Sequence, residues 1–267
     1  MMNAFSNNRK LFVAANWKCS IESPMDADRL IESMNDEWLT LDENLQDCVE
    51  VSIHPPYCFL DRVSKGLDPS MAVGSQNMYD ASFPNQGNTG ATTCKMLSGL
   101  GCNWVLLGHS DRRNNLGESD ELIAQKAALA LEEGLGIVLT LGEKKEERDA
   151  GQELAVLRKQ LLTVADAIPN DADTWSQVVL AYEPVWAVGE LMQLWSWKKN
   201  CVWKSLCILL LQFFITIFDC SIFHSTLTNS IHFSDFQIQK LQQTQNFQQA
   251  RAQHRVHPTK PNESTRH

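Results

Sequence analysis

Trp104-Val105-Leu106-Leu107-Gly108-His109-Ser110-Asp111-Arg112-Arg113 sets four unbroken apolar residues against an abrupt polar cluster, with a glycine at the junction. A strand with one wet face alternates apolar and polar residues, whereas an unbroken apolar run reads as a strand covered on both faces, as in a parallel sheet. Runs that are mostly apolar recur at 11–15, 49–53 and 71–74 before it, and at 137–141 and 178–181 after it, with Glu50, Ser52 and Thr140 as the polar interruptions. Helical patterns with recognisable ends lie between them. Ser23-Pro24 offers an N-cap and a first-turn proline before residues 26–39. Ser119 caps a run that continues through Glu133 and stops at Gly134. Residues 152–167 place Leu154, Leu157, Leu161 and Val164 at helical spacing.

Six strands alternating with helices imply βαβ units with right-handed crossovers. Periodicity does not choose between an open doubly wound sheet and a closed (β/α)8 barrel. No GxGxxG follows the first strand, which removes the usual dinucleotide-binding form of the open sheet.

The chain has 267 residues and a net charge of −9, unevenly distributed. Residues 1–189 carry 15 Lys+Arg against 28 Asp+Glu, and residues 190–267 carry 8 against 4. The acidic front part argues against a nucleic-acid partner, because phosphate backbones are bound by clustered cations. All 13 glycines lie at or before Gly189, although a segment as long as 190–267 would hold about five at ordinary usage. The chain therefore divides into 1–189, a barrel-like portion, and 190–267, a divergent tail. The eight cysteines form no CxxC pair and no metal spacing, so reduced thiols are expected. Residues 1–10 hold no apolar signal core, and a cytoplasmic address is the expectation.

In a parallel barrel the chemistry projects from the C-terminal strand ends. Three ends stand out: Asn16-Trp17-Lys18 after the first run, Gly108 to Arg113 after the fourth, and Ala181-Tyr182-Glu183-Pro184-Val185-Trp186-Ala187-Val188-Gly189 after the sixth. Singly, Lys18 reads as solvated, His109 as an ordinary strand-end histidine and Glu183-Pro184 as a turn. Together they supply a carboxylate to move a carbon-bound proton, an imidazole to polarise a carbonyl and a cation for an anionic substrate. That chemistry requires no metal and no cofactor.

Those three segments, in this order and with these separations, resemble the signature segments of triosephosphate isomerase, and the likeness extends over residues 10–189. The resemblance implies a TIM (β/α)8 barrel and the interconversion of dihydroxyacetone phosphate and glyceraldehyde 3-phosphate, within glycolysis and gluconeogenesis. It makes Glu183 the base and His109 the neutral electrophile. Lys18, Asn16 and Gly189 would bind substrate, Ser110 would support the site, and Pro184-Val185-Trp186 would hinge a lid. It also implies a homodimer, with Gln76-Asn77 and the 87–91 loop at the contact and Thr89 as the inserting side chain. Asp111, Thr140 and Ala91 depart from the family pattern. Ala91 stands where a glutamate would pair with an arginine such as Arg112 across subunits.

After Gly189 the likeness stops. The family continues with a lid and two strands whose glycine-rich ends hold the substrate phosphate, and residues 190–267 have no glycine. The expected barrel is thus incomplete, with about six βα units. The alternative reading of function is an inactive truncated or mis-spliced product of the family, lacking the phosphate-binding strands. The apolar run at 206–218 is shorter than the roughly 17 to 25 residues that span a bilayer, so no membrane association is expected. At most one substitute strand is expected from 206–217. Eight glutamines between Gln237 and Gln253 give a composition typical of disorder. Six strands without replacements leave two open sheet edges, so poor folding or aggregation and little activity are expected.

Overall fold

Six parallel strands follow the six apolar runs almost residue for residue. They are β1 (Leu11–Asn16), β2 (Val49–His54), β3 (Ala72–Ser75), β4 (Trp104–Leu107), β5 (Gly136–Leu141) and β6 (Val178–Tyr182), paired in that order. The computed structural model describes residues 10–79 and 88–187 and, as backbone, the strand β7 (Thr216–Phe218). All belong to the first of two units, Met1–Ser221, while the second, Ile222–His267, lies outside the described residues together with the glutamine-rich stretch.

The connections are helical. Between β1 and β2 run α1 (Pro24–Leu39) and α2 (Glu43–Cys48). A 3-10 turn, Tyr57–Phe59, and α3 (Leu60–Gly66) lead to β3, and α4 (Cys94–Gly99) leads to β4. Next come α5 (Ser110–Leu116) and α6 (Asp120–Glu132), then α7 (Lys145–Asp149), α8 (Glu153–Ala165) and α9 (Ala172–Ser176) before β6. The capping signals operate as expected: Ser23 accepts from the Asp26 amide at 3.1 Å, and Ser119 accepts from Leu122 at 3.2 Å. Helix α8 differs from its apolar pattern. Leu154 is exposed, and the buried positions are Gln160, Leu161 and Val164, because the Gln160 amide serves the Gly142 backbone.

One packing contact decides between open sheet and barrel. Strands three places apart in a flat sheet stand roughly 14 Å from each other. Yet the rings of Phe12 on β1 and Trp104 on β4 meet edge to face with centroids 4.6 Å apart. The sheet is therefore curled, and its concave face buries Phe12, Ala14, Trp104, Leu106, Val138, Val179 and Ala181 as one cluster. Gly136 opposes Trp104, where a Cβ would stand 2.5 Å from the indole. The convex face is covered by α1 through Ile31, Met34 and Trp38, by α6 through Ile123, Ala124, Ala127 and Ala130, and by their neighbours. The architecture is α/β, a half-barrel of six parallel strands consistent with an incomplete TIM (β/α)8 barrel.

One of the two edges left by six strands is covered by the single substitute strand expected from the apolar run of the tail. Strand β7 lies at the end of the apolar 206–218 run and pairs with β6 through Leu180↔Phe218, Ala181↔Ile217 and Tyr182↔Thr216. It runs antiparallel, whereas a (β/α)8 barrel continues in parallel, so it covers the edge without being that barrel's next strand. Among the described residues β1 pairs with β2 alone. No described helix is long and apolar enough to cross a membrane.

Gly74 and His54 occupy paired space: a Cβ on Gly74 would fall 2.2 Å from the buried imidazole. Gly74→Ala is expected to destabilise the chain by about 1–3 kcal/mol, by the cost of overpacking. The same substitution in a His54→Ala background should cost much less. Urea unfolding of the four proteins checks this, and an equal penalty in both backgrounds would show that the ring is not what fills the space.

Candidate active site

The curl that joins Phe12 to Trp104 also brings together the C-terminal ends of β1, β4 and β6. Residue Lys18, two past β1, adopts φ +48°, the one positive value at a non-glycine among the described residues. Such a backbone costs on the order of 1 kcal/mol and persists only where its surroundings enforce it. Here the buried Asn16 accepts the Lys18 N–H on Oδ1 at 2.9 Å, and Gln76 Nε2 donates to the Lys18 carbonyl at 2.8 Å. The ammonium is left at the mouth, 3.5 Å from Asp111, in a partly exposed and hence screened pair.

His109 caps α5. Its Nδ1 accepts the Asp111 backbone N–H at 3.1 Å, so in the neutral ring the proton sits on Nε2. Burial, aided by the Lys18 charge and opposed by Asp111, pushes its pKa down to about 4. The ring is therefore neutral at physiological pH, and its 3.4 Å approach to Asp111 is not an ion pair. Ser110, the first residue of α5, is buried next to it.

Glu183 follows β6. Its Oε2 lies 3.2 Å from His109 Nε2 but off the line of a hydrogen bond, which leaves that oxygen buried and unpartnered among the described residues. Burial raises its pKa to about 6; Lys18 opposes the shift and Asp111 adds to it. The Glu183 backbone comes so close to Gly142 that a Cβ there would lie 2.0 Å from the Glu183 carbonyl oxygen. A carboxylate with a pKa near neutrality facing a neutral imidazole N–H, with a cation at the rim, can abstract a proton next to a carbonyl and steady the charge that develops.

Sequence reading missed the residue that sets the start of the loop after β6. Glu143, fully buried, accepts from Tyr182 Oη at 3.1 Å, Trp186 Nε1 at 2.9 Å and Arg148 Nη1 at 3.0 Å. Arg148 also stacks 4.7 Å from the centre of the Trp186 ring, and Val185 N–H donates to the Glu143 carbonyl. Three anchors from one carboxylate thus hold Val185–Ala187 as a 3-10 turn. Its signal was present: a carboxylate one glycine past the end of a mostly apolar strand.

A second carboxylate organises the loop after β3. Glu118 Oε1 accepts from Asn77, from Arg112 at 2.8 and 2.6 Å, and from the buried Lys126 at 2.8 Å. Burial alone would raise its pKa, but these hydrogen bonds outweigh it and hold Glu118 below the usual range. Arg112 thus has its carboxylate inside the chain, and Asn77 is committed there too. Thr89 is exposed in a turn with Gly90 at φ +83°, and Gly189 lies outside the described residues. A polar cleft of about 220 Å³, lined by residues including Arg113, Asp120, Lys144 and Lys159, contains neither His109 nor Glu183. Among the described residues no cluster of three or more His, Cys, Asp or Glu is placed to hold a metal ion.

Fold and site together define an α/β half-barrel with a carboxylate, an imidazole and an ammonium gathered at its strand ends. The chain belongs to the triosephosphate isomerase family, whose model matches residues 11–200. It is 42% identical over 188 residues to a chloroplastic triosephosphate isomerase of Arabidopsis thaliana, covering 70% of this chain and 55% of that protein. It is 39% identical over 186 residues to its counterpart in Fragaria ananassa, with the same coverage. The chain spans about half the length of these curated relatives.

Two measurements probe the site. Between about pH 4 and 6 the folded chain keeps a Glu183 proton that the unfolded chain releases, so Glu183 costs stability as pH rises through that window. Glu183→Gln should therefore be the more stable protein by up to about 2 kcal/mol at pH 8, with the difference closing towards pH 4, as read from urea unfolding at both values. Glu143→Ala strands three donors and should destabilise by on the order of 3 kcal/mol, with Glu143→Gln recovering part of it in the same assay.

Proposed function

We propose that this chain carries the proton-transfer site of a triosephosphate isomerase, acting on a small phosphorylated triose without a cofactor. The observation that carries the reading is Glu183, raised to about 6, lying 3.2 Å from the neutral His109. Glu183 takes a proton from the carbon beside the carbonyl of dihydroxyacetone phosphate. The His109 Nε2–H hydrogen-bonds the oxygen that becomes an enediolate, and Lys18 offsets its charge. With a proton passed from the C1 oxygen to the C2 oxygen, return of the carbon-bound proton to the neighbouring carbon gives glyceraldehyde 3-phosphate. Pairing a glutamate base with a neutral histidine is the family's known chemistry and not peculiar to this chain.

Asn16 fits a substrate-facing role only in part, since its Oδ1 already holds the Lys18 amide. A homodimer through the exposed Thr89 turn belongs to the same proposal, although Arg112 is already satisfied within its own chain. The five described cysteines are all free, which suits a reducing compartment such as the cytoplasm.

A second reading, an inactive product of the same family, is favoured by the antiparallel β7 on the edge where a barrel would continue in parallel. A coupled dehydrogenase assay on the purified chain separates the two. The isomerase reading expects measurable turnover that falls at least about 100-fold in Glu183→Gln. It also expects kcat/KM to fall as pH drops through about 6, while His109 stays neutral down to about 4. Turnover absent in the parent chain, or equal in Glu183→Gln, would favour the inactive product.

A further inference from the structure

We propose that His54 is a positioning residue for the anion-holding lysine, its ring fixing the β2 and β3 ends that keep Lys18 in its left-handed backbone. The inference rests on the reading of Lys18 as the substrate's cation. His54 closes β2 on the same face as Gly74, its cross-strand neighbour, and is wholly buried. The Ser75 carbonyl stands 3.0 Å from Nδ1 and can only accept, so Nδ1 carries the proton. Nε2 then accepts from the Ser52 hydroxyl at 3.1 Å. Both ring nitrogens are thus satisfied in the neutral form, which burial favours by lowering the pKa to about 4.

The path to the site is short. Ser75, held by the ring through its carbonyl, turns the chain by donating its hydroxyl to the Asn77 carbonyl at 2.6 Å. The residue between them, Gln76, donates from Nε2 to the His54 carbonyl at 3.1 Å and to the Lys18 carbonyl at 2.8 Å. Trp17 N–H donates to the same His54 carbonyl at 3.0 Å. The backbone on both sides of the positive φ is therefore referred to His54, and the imidazole is the side chain that locks His54 to Ser75. An aliphatic residue at 54 would leave the Ser75 carbonyl without that donor, and a larger residue at 74 would leave no room for the ring.

The test compares His54→Asn with His54→Gln. Asparagine can present an N–H at the place of Nδ1, towards Ser75, whereas glutamine carries its amide farther, towards Ser52. A residue that merely fills space would tolerate the two alike. Amide exchange at Trp17 and Lys18, followed by NMR in the free chain, should stay near the parent value in His54→Asn and rise about tenfold in His54→Gln. With dihydroxyacetone phosphate as probe, KM should rise by a similar factor in His54→Gln alone, with kcat within about twofold. Equal exchange in the two variants would overturn the proposal. Exchange that separates them, in a parent chain that neither binds nor converts the triose phosphate, would uphold the positioning role while refuting the functional reading.

Discussion

The edge-to-face contact of Phe12 with Trp104 is the constraint on which the rest of the molecule depends. It joins strands that a flat sheet would hold apart, and Gly136 gives the indole its space. Once the sheet is curled, Lys18, His109 and Glu183 approach one another although 91 and 74 residues of chain separate the successive members. Their convergence is therefore a property of the core before it is a property of the site. The small residues of the concave face matter as much as the large ones, since Gly74 and Gly136 each make room for a ring from the neighbouring strand.

Desolvation then gives that geometry its chemistry. The same burial lowers His109 and raises Glu183, pushing both towards their neutral forms. Lys18 acts in one direction on both, disfavouring the imidazolium and favouring the carboxylate, while Asp111 opposes it. The result is a base that ionises near neutral pH beside an imidazole that remains a donor. The unpartnered buried carboxylate oxygen of Glu183 is a stability cost of this arrangement. Around this pair two further carboxylates organise the loops: Glu143 anchors the turn after β6, and Glu118 through Oε1 ties the loop after β3 to α5 and α6.

Strand β7 shows how a sheet edge recruits whatever β-forming segment is at hand. The exposed N–H and C=O groups of β6 specify pairing but not direction, and three residues from the apolar tail meet them antiparallel. A parallel partner requires a crossover that packs a helix back on the sheet, which is a much stronger demand on sequence.

Strand identity, helix caps and the chemical character of the three strand ends were legible in the sequence by itself, because each is local. An unbroken apolar run, a serine before a helix and a glutamate before a proline act through their immediate neighbours. The likeness of residues 10–189 to a known family was likewise legible, being carried by three short segments. Tertiary structure alone decided the curl, since one periodicity serves an open sheet and a barrel equally well. It also decided the tautomer of His109, the directions in which His109 and Glu183 shift, and the roles of Glu143, Gln76 and His54. Those depend on burial and on partners dozens of residues away, which no local pattern of side chains encodes.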